Sequence, residues 1–350
     1  RPGSIMIRAK RIPTMAEERF SDLGRVEAIS RLFEGTGYRP FENTCFATDG
    51  KSVCTQAGRT MLEGIDFDLV YFPLKHLGYK SVIAVTGELY ARFSHPRTLA
   101  VTLGISAKLD FAQTKELWGG VVTAAKEHGY AKVSLDLVPS RNGLCIAVSA
   151  AGETSNLQAK RRPAARSMDL ICVSDNLGAA YFGFETLERE KKAFDKAKDE
   201  RRQPDLKEYA GFIGEYLKPE LNPAMVGQME ESEIIPSFGY FITKGLSDAV
   251  RQLVRDSGLG AKIYVDRIPF AGKTFDLGRK YNIDPVSAAL NGGDDFRILY
   301  TIPIGKHDRF RHDFQTFDII GHLARPEVGA VLVTPDGVEL PLRAQGWKSE

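Results

Sequence analysis

Asn291-Gly292-Gly293-Asp294-Asp295-Phe296 is the stretch around which the chain is organised. It follows a helical pattern over residues 284–290 and precedes an apolar strand pattern over residues 298–302. Two glycines permit a tight turn that approaches a ligand closely, and two adjacent carboxylates can bind a hard cation, accept a hydrogen bond from a substrate or transfer a proton. The same residues also fit an ordinary solvated turn, so the rest of the chain has to decide between the two.

The composition is that of a globular protein with room for two domains of ordinary size in 350 residues. The net charge is +2, from 47 basic and 45 acidic residues, which gives no reason to expect nucleic acid or a membrane surface as partner. Since no apolar stretch approaches a membrane span or a signal core, we expect a cytoplasmic protein. The cysteines lack metal or redox spacing and are expected to be free thiols: Cys45, Cys54, Cys145 and Cys172.

The first half of the chain alternates helical and strand patterns. A helical pattern covers residues 18–35, and two strand patterns around Asp49-Gly50 predict a hairpin. An apolar run over residues 73–93 predicts a long buried helix that Pro96 ends. The patterns that follow are a strand, a helix and two strands, over residues 98–105, 111–128, 131–138 and 144–150. This order indicates an α+β domain with helices on one face of a sheet.

Residues 148–168 are small and polar, which is typical of a connection between domains. After a short strand pattern, residues 185–202 carry a dense mixture of Lys, Glu and Asp that predicts a solvated surface helix. We therefore predict an α+β fold of two domains, residues 18–150 and residues 165–347.

Three further stretches match one known pattern together with the central motif. They are Thr60-Met61-Leu62-Glu63-Gly64-Ile65-Asp66-Phe67, Gly78-Tyr79-Lys80-Ser81, and Ile320-Gly321 followed by Gly346-Trp347. On these motifs the chain resembles the thiamine-monophosphate kinase family of the aminoimidazole-ribonucleotide-synthetase superfamily, whose members use ATP. The first stretch looks like the family's Leu-Val-Glu-Gly-x-(His/Asp)-Phe, and the central motif is similar to its Gly-Gly-(Glu/Asp)-Asp-Tyr.

The resemblance implies an N-terminal sheet whose strands pair across a twofold axis into a barrel, so we expect a homodimer with a C-terminal α+β domain in each subunit. It also implies a cleft in which aspartates hold Mg²⁺ on the triphosphate of ATP. Carboxylates are needed there because phosphoryl transfer depends on positioning and on neutralising the charge of the phosphate oxygens. The implied partners are a nucleotide and a small phosphorylated metabolite.

The sequence departs from the family pattern at most of the implied metal positions. The family's first pair of aspartates falls at Glu42-Asn43-Thr44 and is absent. Arg59 and Lys244 stand where aspartates are expected. Glu88 and Asp136 keep a carboxylate, and they are the predicted metal ligands.

The other candidate residues take their roles from the same resemblance. The predicted catalytic residues are Asp294 and Asp295. The residues predicted to bind substrate or phosphate are Asp66, Arg59, Arg141, Lys244 and Asn291. Arginine and lysine suit this role because they bind phosphate or carboxylate directly.

Three functions remain open from the sequence. The first is an ATP-dependent kinase of the thiamine-phosphate type, which is compatible with the sequence if Asp49 or Asp248 fills a vacated metal position. The second is a diverged paralogue that keeps the fold, the dimer and the cleft but binds an anionic metabolite or nucleotide without metal, through Arg59 and Lys244. The third is a ligase- or synthetase-type member of the superfamily with another substrate. The Mg²⁺ dependence of nucleotide binding distinguishes the first two.

Overall fold

The computed structural model describes residues 25–38, 44–48, 50–197 and 206–343. Residues 41–344 form one compact unit, and the two ends of the chain form another. The described part of the end unit contains helix α1 (Arg25–Phe33), in which Arg31 pairs with Glu27. This helix lies within the pattern predicted over residues 18–35, of which residues 18–24 are outside the described ranges.

The first sheet of the main unit is built from alternating strands and helices. Its elements are β1 (Thr44–Thr48), β2 (Ser52–Leu62), α2 (Leu74–Ala91), β3 (His95–Ser106), α3 (Phe111–Glu127), β4 (Lys132–Ser140), β5 (Cys145–Ser155) and α4 (Asn156–Lys160). The strand order is β1-β2-β5-β3-β4, with only the described pair β3 and β4 parallel. The predicted hairpin is confirmed, because Thr48 pairs with Ser52. Within the described residues the sheet is open, with β1 and β4 at its edges.

The predicted connection over residues 148–168 is shorter than expected. Strand β5 continues to Ser155, whose hydroxyl accepts a hydrogen bond from the Gln158 N–H and caps α4. The small residues of β5 made this part of the chain look like a loop in the sequence. They are small because the backbone of β3 lies close to β5. A Cβ on Gly152 would come within 2.9 Å of the His95 carbonyl oxygen. A small residue is therefore required inside the strand rather than a sign of a loop.

The second sheet collects the remaining strands of the main unit. The elements are β6 (Leu170–Ser174), α5 (Ala179–Ala197), α6 (Ala210–Leu217), α7 (Met225–Glu231), β7 (Phe238–Ile242), α8 (Leu246–Ser257), β8 (Gly260–Tyr264), α9 (Thr274–Tyr281), α10 (Pro285–Asn291), β9 (Arg297–Ile302), α11 (His307–Asp313), β10 (Phe317–Ala324), β11 (Ala330–Val333) and β12 (Glu339–Pro341). The strand order is β12-β11-β8-β10-β6-β9-β7. Two mixed sheets with helices confirm the α+β class, while the division into residues 18–150 and 165–347 stays a prediction.

Helix α2 lies between the two sheets. It contacts β2 and β5 of the first sheet and β7 and β9 of the second, and α3 packs along it. Residues 77–91 are buried except for the half-buried Glu88, as expected for a helix that is packed on all sides. The close packing depends on Gly239 of β7, where a Cβ would lie 1.9 Å from the Ala91 carbonyl oxygen. Among the described helices, none has the length and apolarity needed to cross a membrane.

Candidate functional site

The central motif forms the turn from α10 into β9 and lies against the end of β7. The Asp294 N–H donates to the Thr243 carbonyl at 3.0 Å, and the Phe296 N–H donates to the Ile242 carbonyl at 2.9 Å. Asp294 and Phe296 have φ values of 60° and 53°, in the left-handed region. For residues with a side chain this backbone costs about 1–3 kcal/mol, so the surrounding contacts must hold it. The motif is therefore a fixed structural feature rather than a solvated turn.

A lysine from α2 binds the first carboxylate of the motif. Lys80 is fully buried, and its Nζ donates to Asp294 Oδ2 at 3.1 Å and to the Tyr216 carbonyl at 2.7 Å. The same Nζ lies 4.1 Å from the ring centroid of Tyr216, 5.4 Å from that of Phe72 and 5.2 Å from that of Phe296. Burial lowers the pKa of Lys80, and the charge of Asp294 opposes this effect. The rings and the carboxylate together provide the environment that a buried cation needs.

The Glu63–Phe67 motif lies beside this lysine. Asp66 closes the turn, because its Oδ2 accepts the Leu62 N–H at 2.9 Å while its Oδ1 binds Arg59 at 3.2 Å. The Tyr216 hydroxyl reaches the Asp66 carbonyl oxygen at 3.5 Å. Both Asp66 and Arg59 are close enough to Lys80 to act on its charge. The two motifs that were recognised separately in the sequence therefore meet around Lys80 and Tyr216.

The second carboxylate of the central motif points into the protein. Asp295 is buried, and its Oδ1 accepts the Gly178 N–H at 2.8 Å at the start of α5. Its Oδ2 has no hydrogen-bond partner among the residues that the structure describes. Burial raises the pKa of Asp295 to about 8, although the Gly178 N–H and Arg297 oppose the increase. The carboxyl group is therefore mostly protonated at neutral pH, and it ties the motif to α5.

Arg297, directly after the motif, binds several residues of the same region. Its Nε donates to the Asn176 carbonyl at 3.1 Å, and its Nη2 lies 2.5 Å from Glu215 and 3.6 Å from Asp175. Its side chain is buried, and it lines two neighbouring cavities of 810 Å³ and 460 Å³. Arg297 therefore fixes the segment between β6 and α5 against the central motif.

Helix α5 is not the purely solvated helix that its charge pattern predicted. It begins at Ala179, before the predicted start, because its first turns are apolar and buried. Lys191 pairs with Asp68, and Glu188 accepts a hydrogen bond from the Tyr71 hydroxyl at 2.8 Å. These contacts hold the segment that follows the Glu63–Phe67 motif. Some of the charged residues of α5 thus position the segment after the Glu63–Phe67 motif, which belongs to the candidate site.

Three other predicted binding residues lie near the two motifs. Lys244 belongs to the turn that packs on the central motif, where a Cβ on Gly293 would lie 3.9 Å from the Lys244 Cα. Asn291 ends α10, and its side-chain amide lies beside the Arg343 carbonyl, to which the nitrogen donates at 3.2 Å once the amide is turned to face it. Arg141 is exposed on the β4–β5 turn, which is bound to the first motif through the Glu63 carboxylate and the Leu144 N–H at 2.7 Å.

The two predicted metal ligands are not brought together. Asp136 pairs in register with Thr102 of β3, and in-register residues of neighbouring strands point to the same face. Thr102 lies between the buried Val101 and Leu103, so Asp136 is on the face opposite α2. Glu88 belongs to α2 itself, so the sheet separates the two carboxylates. Asp136 is exposed, and its Oδ1 accepts the Leu137 N–H at 2.9 Å.

The described chain offers no preformed cluster of metal ligands. No group of three or more His, Cys, Asp or Glu side chains within these residues could hold a metal ion by itself, so a Mg²⁺ ion here would take most of its ligands from water and the phosphates of a nucleotide. Asp248, a possible replacement ligand, is buried in α8 and accepts a hydrogen bond from Gln252 at 2.6 Å. Glu42-Asn43 and Asp49 lie outside the described residues.

Sequence reasoning assigned no role to Lys80, Tyr216 or Arg297. For Lys80 and Arg297 a signal existed, since each is a cation inside an apolar run, where an unpaired charge would be costly. Tyr216 carries no comparable signal, because its contacts join positions far apart in the chain.

Comparison with known proteins identifies relatives along most of the chain. No protein-family model matches. The chain is 24% identical over 288 residues to thiamine-monophosphate kinase of Aquifex aeolicus, covering 82% of this chain and 84% of that protein. It is 21% identical over 292 residues to thiamine-monophosphate kinase of Bacillus subtilis, covering 82% and 85%.

Solved structures agree with this result at the level of the fold. A structure described as AaThiL complexed with AMPPCP and TMP matches with a TM-score of 0.76 and 21% identity, over 96% of this chain and all of that one. Hydrogenase maturation protein HypE in complex with ATP matches with a TM-score of 0.60 and 15% identity, over 92% of both chains. The chain thus shares the α+β fold of these solved structures. The chain is similar to thiamine-monophosphate kinases over most of its length, so the resemblance indicated by its motifs is confirmed.

Proposed function

We propose that this chain binds ATP and a small phosphorylated metabolite and transfers a phosphoryl group between them, as a thiamine-monophosphate kinase does. The observation that carries the proposal is the meeting of the two motifs around Lys80, which bonds to Asp294 and is close enough to Asp66 to feel its charge. The named relatives and the neighbour with AMPPCP and TMP support the choice of ligands. The reaction with thiamine monophosphate would give thiamine diphosphate and ADP.

The two carboxylates of the central motif have different parts in this proposal. The Asp294 side chain remains 27% exposed, so it can accept a hydrogen bond from a substrate at the end of the site where Asp66 also lies. Asp295 is buried and bonded to the start of α5, so its contribution to catalysis is to keep the turn in place. Lys244, Asn291 and Arg141 are proposed to approach the phosphates.

We propose further that the five-stranded sheet pairs with a second copy through the face opposite α2. This face has a groove of 1040 Å³ with small lining residues such as Gly58, Ala100 and Ser149. Edge strand β4 exposes apolar side chains, which an isolated sheet edge would leave prone to association. Light scattering tests the proposal: Ala100→Arg should convert a dimer into a monomer, whereas Leu157→Arg on exposed α4 should not. A monomeric wild type would contradict it.

One observation favours a second candidate function, a paralogue that binds its ligand without metal. Arg59 replaces an expected aspartate, and it pairs with Asp66. The described residues contain no cluster of three or more side chains that could hold a metal ion. A cation at this position would compete with a metal ion, but it can bind a phosphate directly.

Calorimetry of AMPPCP binding, with Mg²⁺ and with EDTA, tests both candidates. The kinase proposal expects binding that requires Mg²⁺, together with formation of thiamine diphosphate from ATP and thiamine monophosphate. The metal-free alternative expects equal binding in EDTA that weakens in Arg59→Gln, because the variant keeps the polarity but loses the charge. Arg97→Gln, which removes an exposed ion pair elsewhere on the sheet, is the matched control. Absence of binding under both conditions would contradict both candidates.

A further inference from the structure

Stability alone does not explain why the buried residue at position 80 is a lysine. Its ammonium group is buried and contacts three aromatic rings, one carbonyl and one carboxylate. Burying a charge is costly, and replacing a buried ion pair by apolar residues often leaves a protein equally stable or more stable. A methionine would fill the same space among these rings. The charge therefore needs a reason other than packing.

The geometry at Asp294 supplies such a reason. The backbone there has φ of 60°, and the carboxylate lies between the buried Lys80 and the surface. Of the two carboxylate oxygens of Asp294, Lys80 donates a hydrogen bond only to Oδ2. Within the described chain, no other hydrogen bond to this side chain is formed. One carboxylate oxygen is thus held from inside the protein, while the other remains available to a ligand.

The second contact of Lys80 connects it to the other motif. Its bond to the Tyr216 carbonyl fixes α6, and the hydroxyl of the same tyrosine reaches the Asp66 carbonyl oxygen. The ring of Tyr216 also packs against Phe72, which follows the first motif, at a centroid distance of 5.5 Å. A single side chain thus bonds to the central motif and, through Tyr216, contacts the loop that carries Asp66.

We infer that Lys80 is a positioning residue, which holds Asp294 and the Asp66 loop in register so that both can bind hydrogen-bond donors of one substrate. This inference rests on the proposed function for the identity of the substrate. The chemical class it selects is a molecule whose N–H or O–H donors can reach both carboxylates. Lys80 itself does not touch the substrate.

Hydrogen exchange tests the positioning without any ligand. In Lys80→Met, backbone amides of residues 62–67 and 292–297 should exchange roughly tenfold faster or more than in the wild type, because a charge-assisted hydrogen bond has been lost. Lys262→Met is the matched control, since it breaks an exposed pair with Glu339 on the other sheet. Unchanged exchange in both segments of a folded Lys80→Met would overturn the inference. If this variant does not fold, Asp294→Asn breaks the same pair from the exposed side and is measured instead.

Ligand binding then separates positioning from a general loss of structure. Lys80→Met should weaken thiamine monophosphate binding by about tenfold or more while leaving AMPPCP affinity within about twofold. In the Asp294→Asn background, the same substitution should have a smaller effect than in the wild type, because one of the two contacts of Lys80 is already weakened and only the contact to the Tyr216 carbonyl remains to be lost. Equal losses for both ligands would indicate a merely structural role and overturn the inference. A wild type that does not bind thiamine monophosphate would refute the proposed function, while the exchange data would still decide whether Lys80 positions the two motifs.

Discussion

Replacing Asp295 by asparagine should remove a distinct part of the pH dependence of stability. Asp295 is buried, one carboxyl oxygen accepts the Gly178 N–H, and burial raises its pKa to about 8 from an ordinary value of 3.8. The folded protein therefore holds a proton that the unfolded chain has released at neutral pH. Asparagine has nearly the same shape and keeps the acceptor for Gly178, but it cannot ionise.

The sign and size of the effect follow from this difference in proton binding. An acid whose pKa is raised by folding stabilises the folded state least at high pH, so the free energy of unfolding falls as pH rises from 3.8 towards about 8. The slope for one proton is about 1.4 kcal/mol per pH unit, with an upper limit of about 6 kcal/mol over the whole interval. Above the folded-state pKa this loss is complete and the curve becomes level.

Urea unfolding between about pH 5 and about pH 9 measures the effect, as the difference in unfolding free energy between wild type and variant. Asp295→Asn should become progressively more stable relative to the wild type as pH rises. Asp276→Asn, at an exposed position in α9, should leave the pH dependence of the wild type nearly unchanged. If Asp295→Asn shows the same slope as the wild type, the carboxyl is not protonated in the folded state and the reasoning is refuted.

Two further predictions concern packing and buried charge. Gly239→Ala should lower the free energy of unfolding by about 1–3 kcal/mol or more, because the added Cβ meets the Ala91 carbonyl. Gly119→Ala is the control: its added Cβ faces open space within helix α3, so it should raise the free energy of unfolding by about 0.5–1 kcal/mol. Equal effects of the two substitutions in urea unfolding would contradict the packing of α2. Arg297→Met should cost about 1–3 kcal/mol, because the half-buried Glu215 loses its partner, and adding Glu215→Gln should recover part of this loss. A double variant no more stable than Arg297→Met would contradict the explanation.

The sequence predicted those elements whose pattern is local. The helix over residues 73–93 and the hairpin around Gly50 were located because apolar periodicity and turn residues act over a few positions. Strand β7 and the second half of β5 were not predicted. Their small or uniformly apolar residues are required by packing against residues that are distant in the chain. Gly239 is small because Ala91 approaches it, and no pattern within residues 238–242 contains that information.

The candidate site was predicted in part for the same reason. Asp66 and Asp294 were identified through their motifs, but their meeting depends on Lys80, which is 214 positions away from Asp294 in the chain. Glu88 and Asp136 were predicted as metal ligands because each keeps a carboxylate at a position that the family resemblance implies, yet helix α2 and strand β4 place them on different sides of a sheet. Motif recognition identifies residues, whereas the placement of the carboxylates depends on sheet register and helix packing.

The charges around the two motifs limit what the site can bind. Asp66 pairs with Arg59 and Asp294 pairs with Lys80, so each carboxylate already has a cation beside it. A Mg²⁺ ion would have to displace Arg59 or find its ligands elsewhere, since the described residues offer no cluster for it. A phosphate could instead bind Arg59 if Asp66 turned towards a donor on the substrate. Phosphoryl transfer needs neutralised phosphate oxygens in either case. The position of Arg59 in the ligand-bound state therefore decides between the kinase and the metal-free alternative. The AMPPCP affinity of Arg59→Gln, measured in EDTA and in Mg²⁺, reports that position.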